Sequence, residues 1–470
     1  MLATTTENPF ERGYWFGTVD PRPLALFRLL FGTVVLCDLL QRIPDVRVFL
    51  SDEGFAQRAT SPWLSASWSL SRLAGSPPAV MMLYLAGCAS VAAFLVGYRT
   101  RLAQVAMFVF LASLRARNPN FLGALGQDRV MKTMSFWLLF ADSGAVWSLD
   151  WILKRRVSGA VPAIGLRLLQ WQVGLILLFA GLPKWATWTD GLAFYRFLQV
   201  RAFATPLGAT LLAWPALCSA LTWLVLPLEL MAPLLLIPLA PLAPSWIRAA
   251  GILVGSSLFL GILAFLEVGC FPELMLSGLV LFVLPEWLDR QGWIAPTDPA
   301  ATAPSTRRCQ SIVAVVGLAQ LGLATWSLIA PAIHIGEGRL LRDELRLTSL
   351  RQEWAMFVQT KGLSSEWWSD LGTLADGRRQ EVLEGTVPGL VVGPSPERHW
   401  ELLRFQLSRS PELRRAMVNY ACRELDRTSP IPLATLELDL HELPVTDPGE
   451  QPRPETVRVF HEPCGQAPGG

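Results

Sequence analysis

The sequence predicts an all-α polytopic membrane bundle of about nine spans, followed by a small soluble α+β domain. Two observations predict this architecture. Of the 470 residues, 52% are hydrophobic and only 17% are charged, whereas about a quarter of the residues in an ordinary soluble chain are charged. Nearly all of the long apolar runs lie before residue 333, and the composition after it is that of a soluble protein. We therefore expect a multi-span membrane domain over residues 1–333 and an α+β domain over residues 334–470.

Net charge and histidine placement exclude several classes of protein. The formal net charge of +2 excludes a strongly basic nucleic-acid-binding protein. All four histidines follow residue 333, and the sequence contains no Cys-x-x-Cys motif. Zinc or iron chemistry built on histidine is therefore excluded from the first two-thirds of the chain. We expect no metal site and no nucleic-acid partner.

Nine apolar segments are candidates for membrane spans. A helix rises 1.5 Å per residue, so a hydrocarbon core of about 30 Å needs roughly 20 mostly apolar residues. The third candidate is short, the sixth contains three prolines, and the eighth begins with Pro272 and Glu273. The candidates are residues 24–42, 79–98, 101–116, 129–149, 163–184, 214–240, 247–266, 270–288 and 309–332.

The orientation follows from the positive charges in the connections. With nine spans the two termini lie on opposite sides of the membrane. Basic residues are divided almost equally between the two sets of connections, but clusters in the tight ones, such as Lys154-Arg155-Arg156, favour a cytoplasmic N-terminus. We therefore expect the tail outside the cytoplasm. Cys422 and Cys464 would form a disulfide there if the space is oxidising, or remain as two unpaired thiols.

The tail shows strand and helix patterns together. The pair Asp376-Gly377 lies within GTLADGRRQEV and favours a tight hairpin. Residues 397–426 indicate two short helices, interrupted before Pro411. Strict alternation in TLELDLHEL (residues 435–443) and the following TVRVF indicates two strands. These elements predict a small α+β domain.

Lysine usage singles out one candidate reactive residue. Of the 40 basic residues only four are lysines, namely Lys132, Lys154, Lys184 and Lys361. Lys184 follows the apolar run VGLILLFAGLP at the end of the fifth candidate span. A desolvated lysine can lose its proton and act as a general base or nucleophile, whereas an arginine cannot. The alternative is a lysine whose ammonium group extends into the lipid headgroups.

Polar and small residues form one stripe along the fifth candidate span. They recur at steps of three and four residues, which places them on one helix face. Lipid would not satisfy such a face, so we expect it to point into the bundle. The stripe consists of Arg167, Gln170, Gly174, Leu177, Gly181 and Lys184.

Further ionisable residues lie in or near other spans. They mark either a transport path or polar contacts between helices, and Asp38 and Arg42, four residues apart, are placed to pair with each other. The set comprises Arg28, Asp38, Asp142, Glu229, Glu267 and Glu273.

Three segments resemble a known family. DPRPLALFRLLFG (20–32), FADSGAVWSLD (140–150) and LLFAGLPKW (177–185) are similar to segments of the vitamin K-dependent γ-glutamyl carboxylase. They are closer still to its bacterial relatives, the horizontally transferred transmembrane (HTTM) domain family. The resemblance covers about residues 8–290 in order and spacing. Bacterial members also carry a tail similar to this one around RQEWAMF and GTLADGRRQEV, so the resemblance implies a multi-pass protein of a bacterial inner membrane.

The resemblance also implies a site. In the carboxylase, a lysine just past an Ala-Gly pair deprotonates vitamin K hydroquinone, and Lys184, which follows Gly181, matches it. Gln172 matches a glutamine on the same helix. The implied cofactor is a quinol such as a vitamin K-type menaquinol, and Gln172, Gly181, Gln127 and Asp128 are the implied cofactor-binding residues. The implied partners are membrane lipid and a peptide or protein substrate bound by the tail.

The sequence departs from the carboxylase at two histidines. Gln127 or Asp128 stands where the family has one, and Phe259 lies near the position of the other. Neither replacement can transfer a proton as imidazole does at neutral pH, which argues against carboxylation of glutamate. A quinol-binding or quinol-oxidising activity could rest on Lys184 alone.

Three functions remain open from the sequence. The first is a lysine-based, quinol-dependent enzyme that acts on a peptide or lipid at the outer leaflet. The second is a non-catalytic membrane scaffold or accessory factor for peptide maturation or export, with the tail as its binding surface. The third is a transporter that uses Arg28, Glu229 and Glu267, although we find no internal repeat in the sequence to support it.

Overall fold

The computed structural model describes most of the chain. The described residues are 8–54, 57–58, 69–118, 121, 125–153, 159–237, 245–291, 307–330, 352–354, 356–382, 406–407, 409–428, 430–451 and 455–464. The basic cluster at residues 154–156 and the predicted helix start at residues 397–405 lie outside them.

Most of the described residues before residue 333 lie in helices. They are α1 (Arg12–Phe16), α2 (Arg22–Gln41), α3 (Val46–Leu50), α4 (Pro77–Val96), α5 (Thr100–Arg117), α6 (Gly126–Leu138), α7 (Leu149–Ile152), α8 (Ala163–Thr187), α9 (Ala193–Gln199), α10 (Pro206–Thr210), α11 (Pro215–Leu236), α12 (Ser245–Phe265), α13 (Phe271–Leu279), α14 (Pro285–Arg290) and α15 (Arg307–Ile329). A two-stranded ribbon, β1 (Thr18–Val19) and β2 (Val161–Pro162), joins the start of α2 to the start of α8.

Six of the described helices are long and apolar enough to cross a membrane: α2, α4, α8, α11, α12 and residues Ser311–Ile329 of α15. They coincide with six of the nine predicted spans. Their outer faces expose large apolar side chains, for example Leu253 (71% exposed) and Met82 (67%). In water such surfaces would be unfavourable, so these helices support a multi-pass membrane protein.

The other three predicted spans form helices that are shorter or less apolar, and the count of nine is not confirmed. Over residues 101–116 the chain forms α5, which carries Arg101 and Arg115 and is less apolar. Over 129–149 the helix α6 ends at Leu138, well before Asp142. Over 270–288 the short helix α13 passes into a 3-10 turn at Val280–Phe282 and then ends.

Two local features end α4 and begin α5. Gly97 ends α4 with a φ of +69°, a left-handed conformation that costs glycine little. Asp150 then accepts hydrogen bonds from the backbone N–H groups of Arg99 (2.9 Å) and Thr100 (2.7 Å). A carboxylate at a helix N-terminus satisfies donors that have no partner within the helix. The start of α5 is therefore determined by a side chain 50 residues further along the chain.

Helix α8 is the most buried of the candidate spans. The predicted stripe faces the interior, since Arg167, Gln170, Leu177 and Lys184 are all less than 5% exposed. Helix α11 packs against it in the antiparallel direction: Gly174 lies against Ile237, and Gly181 against Glu229 and Leu230. Small residues allow the two backbones to approach closely.

Gly165, in the first turn of α8, is a position where added volume should be costly. A Cβ there would lie 2.3 Å from Cα of Ala141 and 2.6 Å from the carbonyl oxygen of Phe140. Because these atoms belong to the backbone, they cannot rotate away. We expect Gly165→Ala to lower the free energy of unfolding by about 1–3 kcal/mol, measured by thermal unfolding in detergent.

The matched control for this prediction is Gly261→Ala. Gly261 also lies within a helix, α12, and a Cβ there meets no atom within 4 Å. This substitution should leave the stability unchanged or raise it by up to about 1 kcal/mol. Equal effects of the two substitutions would contradict the packing at Gly165.

The tail contains a four-stranded antiparallel sheet in the order β4-β3-β5-β6. The strands are β3 (Ser364–Leu374), β4 (Arg379–Gln380), β5 (Leu433–Pro444) and β6 (Glu455–Pro463), and helix α16 (Pro411–Thr428) packs on one face. The predicted hairpin is confirmed, with Gly377 at a φ of +86°. Both predicted strands are also confirmed, and the buried face of β5 carries Leu436, Leu438 and Leu440.

The Cys422–Cys464 disulfide joins α16 to the end of β6. Of the two alternatives left open by the sequence, the structure therefore contains the bonded one. The chain between the two cysteines includes β5, so the bond ties the helix to the sheet across their shared core. A cross-link of this kind stabilises a small domain mainly by restricting its unfolded state.

The tail contacts one end of the bundle, which we call the tail-side end. It contains the C-termini of α2 and α8 and the N-terminus of α6. Arg196, on α9, forms an ion pair with Asp447 of the tail (2.8 Å). The backbone N–H of Arg201 donates to the hydroxyl of Ser365 in β3 (2.9 Å). Arg47, on α3, forms an ion pair with Glu424 of α16 (3.3 Å).

Candidate active site

Lys184 lies inside the bundle at the tail-side end of α8. Its side chain is 5% exposed, and its Nζ lies 2.5 Å from Oε1 of Glu229 on α11. The neighbouring Trp185 is 64% exposed. At this level of α8 it is therefore Trp185, and not Lys184, that points out of the bundle. Lys184 therefore does not extend into the headgroup region. It is a sheltered amine with a carboxylate partner.

Glu229 is equally sheltered, with a side chain that is 6% exposed. While its Oε1 accepts from Lys184, its Oε2 is buried and has no hydrogen-bond partner among the described residues. A buried carboxylate oxygen without a donor is costly. The arrangement therefore leaves one strong acceptor available beside the lysine.

Local sequence explains how the pair forms. Gly181 precedes Lys184 by one turn, and a Cβ at Gly181 would lie 3.1 Å from Cβ of Glu229. The glycine thus allows α11 to come close enough for the two charged side chains to meet. Pro183 removes a backbone donor next to Lys184, and α8 ends at Thr187.

An aromatic cluster covers the tail-side face of the pair. Nζ of Lys184 lies 5.1 Å from the ring centroid of Trp188, a cation–π distance. Trp188 packs against Phe197, and Phe357 of the tail packs against Phe197 (5.0 Å) and Phe203 (5.3 Å). The indole of Trp188 also donates to the carbonyl oxygen of Phe357 (2.9 Å). The tail therefore covers the site at the tail-side end of the bundle.

Gln172, the second predicted site residue on α8, belongs to a different cluster. It precedes Lys184 by three turns, roughly 18 Å along the helix axis. Its side chain exchanges hydrogen bonds with Gln352 of the tail in both directions (2.8 and 2.9 Å) and accepts from the indole of Trp137 on α6 (2.9 Å). Trp354 donates to Gln352 as well (2.7 Å). The amide of Gln172 is thus satisfied by protein partners.

These contacts show that residues 352–354 and 356–357 enter the bundle. Trp354 is 1% exposed and Gln352 5%, and Met356 lies against Gly126 at the start of α6. The division at residue 333 assigns this segment to the soluble domain, whereas its side chains complete the interior of the membrane domain. We call residues 352–354 and 356–357 the insertion segment.

Gln127 and Asp128 form a third cluster, at the N-terminus of α6. Asp128 accepts from Arg42 (2.9 Å), which also binds Asp38 (2.8 Å) as predicted. Gln127 donates to Asp38 (3.1 Å) and accepts from the backbone N–H of Cys270 (2.8 Å). This network joins α2, α6 and the start of α13. Gln127 and Asp128 therefore hold helices together.

The three residues of the transport hypothesis, Arg28, Glu229 and Glu267, contact different partners. Arg28 on α2 donates to the carbonyl oxygens of Ser143 and Trp147. Glu229 binds Lys184, while the backbone N–H of Glu267 donates to the carbonyl oxygen of Phe203. These contacts give the residues distinct structural settings, and they form no common cluster in the described part of the chain.

The fold and this site define a membrane protein whose helices enclose a lysine–carboxylate pair beneath a docked α+β tail. A family model of the HTTM domain matches residues 16–287, more than half of the chain. The protein belongs to the HTTM domain family, as the three sequence segments predict. No solved structure matches the chain.

Proposed function

We propose that this protein is a quinol-dependent membrane enzyme in which the Lys184–Glu229 pair accepts the proton of a quinol hydroxyl group. The observation that carries the proposal is the buried Oε2 of Glu229, which has no donor among the described residues. A hydroxyl group bound there would satisfy it at hydrogen-bond distance. Membership of the HTTM family and the resemblance to the vitamin K-dependent carboxylase support a vitamin K-type menaquinol as the source of that hydroxyl.

The pair is arranged to take up a proton. Oε2 of Glu229 accepts the hydroxyl hydrogen bond, and Oε1 stays bound to Lys184 at 2.5 Å. A proton delivered to Glu229 can therefore be shared with Lys184 when the amine is neutral. Bound quinol supplies the hydroxyl proton and, once this is removed, the electrons for a reaction with oxygen.

The surroundings exclude water and position an aromatic ligand. Trp188, Phe197, Phe203 and Phe357 provide ring faces and edges beside the pair, and aromatic rings stack favourably on such surfaces. The proposed chemistry consists of quinol deprotonation and oxidation. Gln127 and Asp128 hold a structural network and carry no imidazole, so nothing in the described chain supports a subsequent carboxylation.

We further propose that the tail lies outside the cytoplasm of a bacterial cell, with the protein in the inner membrane. The Cys422–Cys464 disulfide supports an oxidising compartment for the tail, because disulfides are rare in the cytosol. The tail closes the candidate active site, which supports a role for it in presenting a peptide or protein substrate at the outer leaflet.

Lys184→Arg provides the sharpest test. Arginine retains the positive charge and the ion pair with Glu229, but it cannot act as a base. We expect the purified variant to fold normally and to oxidise menaquinol at least about 100-fold more slowly than the wild type, since general-base catalysis contributes roughly 10²–10⁴-fold. The measurements are oxygen uptake with menaquinol in mixed micelles and thermal unfolding of the same samples.

Lys361→Arg is the control, because Lys361 is exposed on the tail; it should keep the wild-type rate. The proposal fails if the wild type does not oxidise menaquinol, or if Lys184→Arg retains the full rate. In the second case the non-catalytic scaffold function, with the tail as its binding surface, becomes the better explanation.

A further inference from the structure

Trp188 is a buried residue that contacts both Lys184 and the tail. It directly follows the last residue of α8, and its backbone N–H donates to the carbonyl oxygen of Lys184 (2.8 Å). Residues four positions apart lie on the same face of a helix, and the ring centroid of Trp188 lies 5.1 Å from Nζ of Lys184. Trp188 is only 4% exposed. The position of this ring therefore limits the conformations that the lysine side chain can adopt.

A backbone group of the tail holds the indole of Trp188. Its Nε1 donates to the carbonyl oxygen of Phe357 (2.9 Å), and its ring packs against Phe197 with 6.0 Å between the centroids. A tryptophan side chain has only two rotatable torsions, so a hydrogen bond and a ring contact are enough to fix its orientation. The orientation of Trp188 thus depends on a residue 169 positions further along the chain.

Phe357 has an unusual backbone conformation at this contact. Its φ is +59°, in the left-handed region that is unfavourable for residues with a Cβ atom. Its ring lies edge-to-face between Phe197 (5.0 Å, 81°) and Phe203 (5.3 Å, 74°). Such conformations persist only where surrounding contacts hold them, and they cluster at functional sites. The two ring contacts therefore fix the carbonyl group that Trp188 binds.

Lys184 is a side chain that needs such support. Its four-carbon chain is flexible and loses rotamer entropy when it is held in one conformation. Nζ lies 2.5 Å from Oε1 of Glu229, and the ring of Trp188 lies on the tail side of the amine. The ring attracts the ammonium group and occupies the space into which Nζ would move on leaving Glu229. Trp188 therefore favours the conformation in which the lysine and the carboxylate are paired.

We propose that Trp188 is a positioning residue for Lys184 and that Phe357 of the tail holds Trp188 in place. The lysine–carboxylate pair is then correctly arranged only when the tail is docked on the bundle. The consequence for turnover rests on the proposed function, whereas the positioning of the lysine does not.

The kinetic experiment uses two single variants and the double variant of the full-length protein. Trp188→Phe keeps a ring but lacks the N–H donor, and Phe357→Leu keeps the carbonyl group but lacks the ring edges. Each should lower kcat for menaquinol oxidation about fivefold and change KM less than about twofold. Because both act through one contact, the double variant should also lose about fivefold, whereas independent effects would multiply to about 25-fold. Trp185→Phe, at an exposed indole of α8, should keep the wild-type rate.

Lysine acetylation tests the positioning without turnover. The chain has only four lysines, so mass spectrometry can follow each one during reaction with an acetyl N-hydroxysuccinimide ester. Both single variants and the double variant should raise the acetylation rate of Lys184 by a similar factor, about fivefold. Lys132, which is 1% exposed on α6, should react as slowly as in the wild type.

Three results would overturn the positioning role of Trp188. They are unchanged acetylation of Lys184 in both single variants, an equal rise at Lys132, which indicates general loosening of the bundle, and multiplicative effects in the double variant. A wild type that does not oxidise menaquinol contradicts the proposed function instead, and the acetylation rates still decide whether Trp188 and Phe357 position the lysine.

Discussion

Glu229→Gln is expected to destabilise the protein by about 3–5 kcal/mol, the range found when one partner of a buried ion pair is removed. The cause is Lys184, whose Nζ would remain buried without the carboxylate that lies 2.5 Å away. The second oxygen of Glu229 adds little to this effect, because it has no donor among the described residues. Thermal or denaturant unfolding in detergent measures the loss.

A double-mutant cycle separates the ion pair from local packing. Lys184→Met combined with Glu229→Leu replaces both charges by apolar side chains and should recover most of the lost stability, since buried pairs are often replaceable in this way. Glu286→Gln, at an exposed glutamate, should change stability by less than about 0.5 kcal/mol. If the double variant is as unstable as the sum of the single variants, the two residues are not coupled.

Trp354→Ala should be comparably severe, costing about 3–5 kcal/mol. Trp354 is 1% exposed within the insertion segment, and its indole orients Gln352 toward Gln172. Removing it leaves a cavity and weakens the amide pair that joins the tail to α8. We expect a lower melting temperature together with faster protease cleavage between the bundle and the tail.

Trp185→Ala is the matched control, because that indole is 64% exposed on α8. Removing a side chain that faces the lipid leaves no cavity, so stability should change by less than about 1 kcal/mol. A melting temperature for Trp354→Ala equal to that of Trp185→Ala would show that the insertion segment does not pack inside the bundle in detergent.

Much of the architecture could be predicted because it rests on local patterns. The stripe on α8 faces inward as its three- and four-residue periodicity predicts, and Asp38 pairs with Arg42 because four residues make one helical turn. The hairpin at Gly377 and the leucine face of β5 follow from turn chemistry and strict alternation. In each case the residues involved are neighbours along the chain or on one element.

The remaining features depend on contacts between distant elements. The partner of Lys184 was one of six ionisable residues near spans, and only the packing of α11 against Gly181 selects Glu229. Gln172 and Gln352 are 180 residues apart, so no periodicity connects them. The predicted span over residues 129–149 was too long, because α6 ends at Leu138. Composition shows that such residues are present, but it does not assign their partners.

The insertion segment has a consequence for biogenesis. A ribosome makes residue 352 only after the six described helices that are long and apolar enough to cross a membrane, so these helices leave the ribosome as a bundle whose interior is incomplete. Until the tail arrives, the amide of Gln172 lacks its partner Gln352, and the space taken later by Trp354 is open. Packing of the membrane domain is therefore completed only after translation has reached the tail.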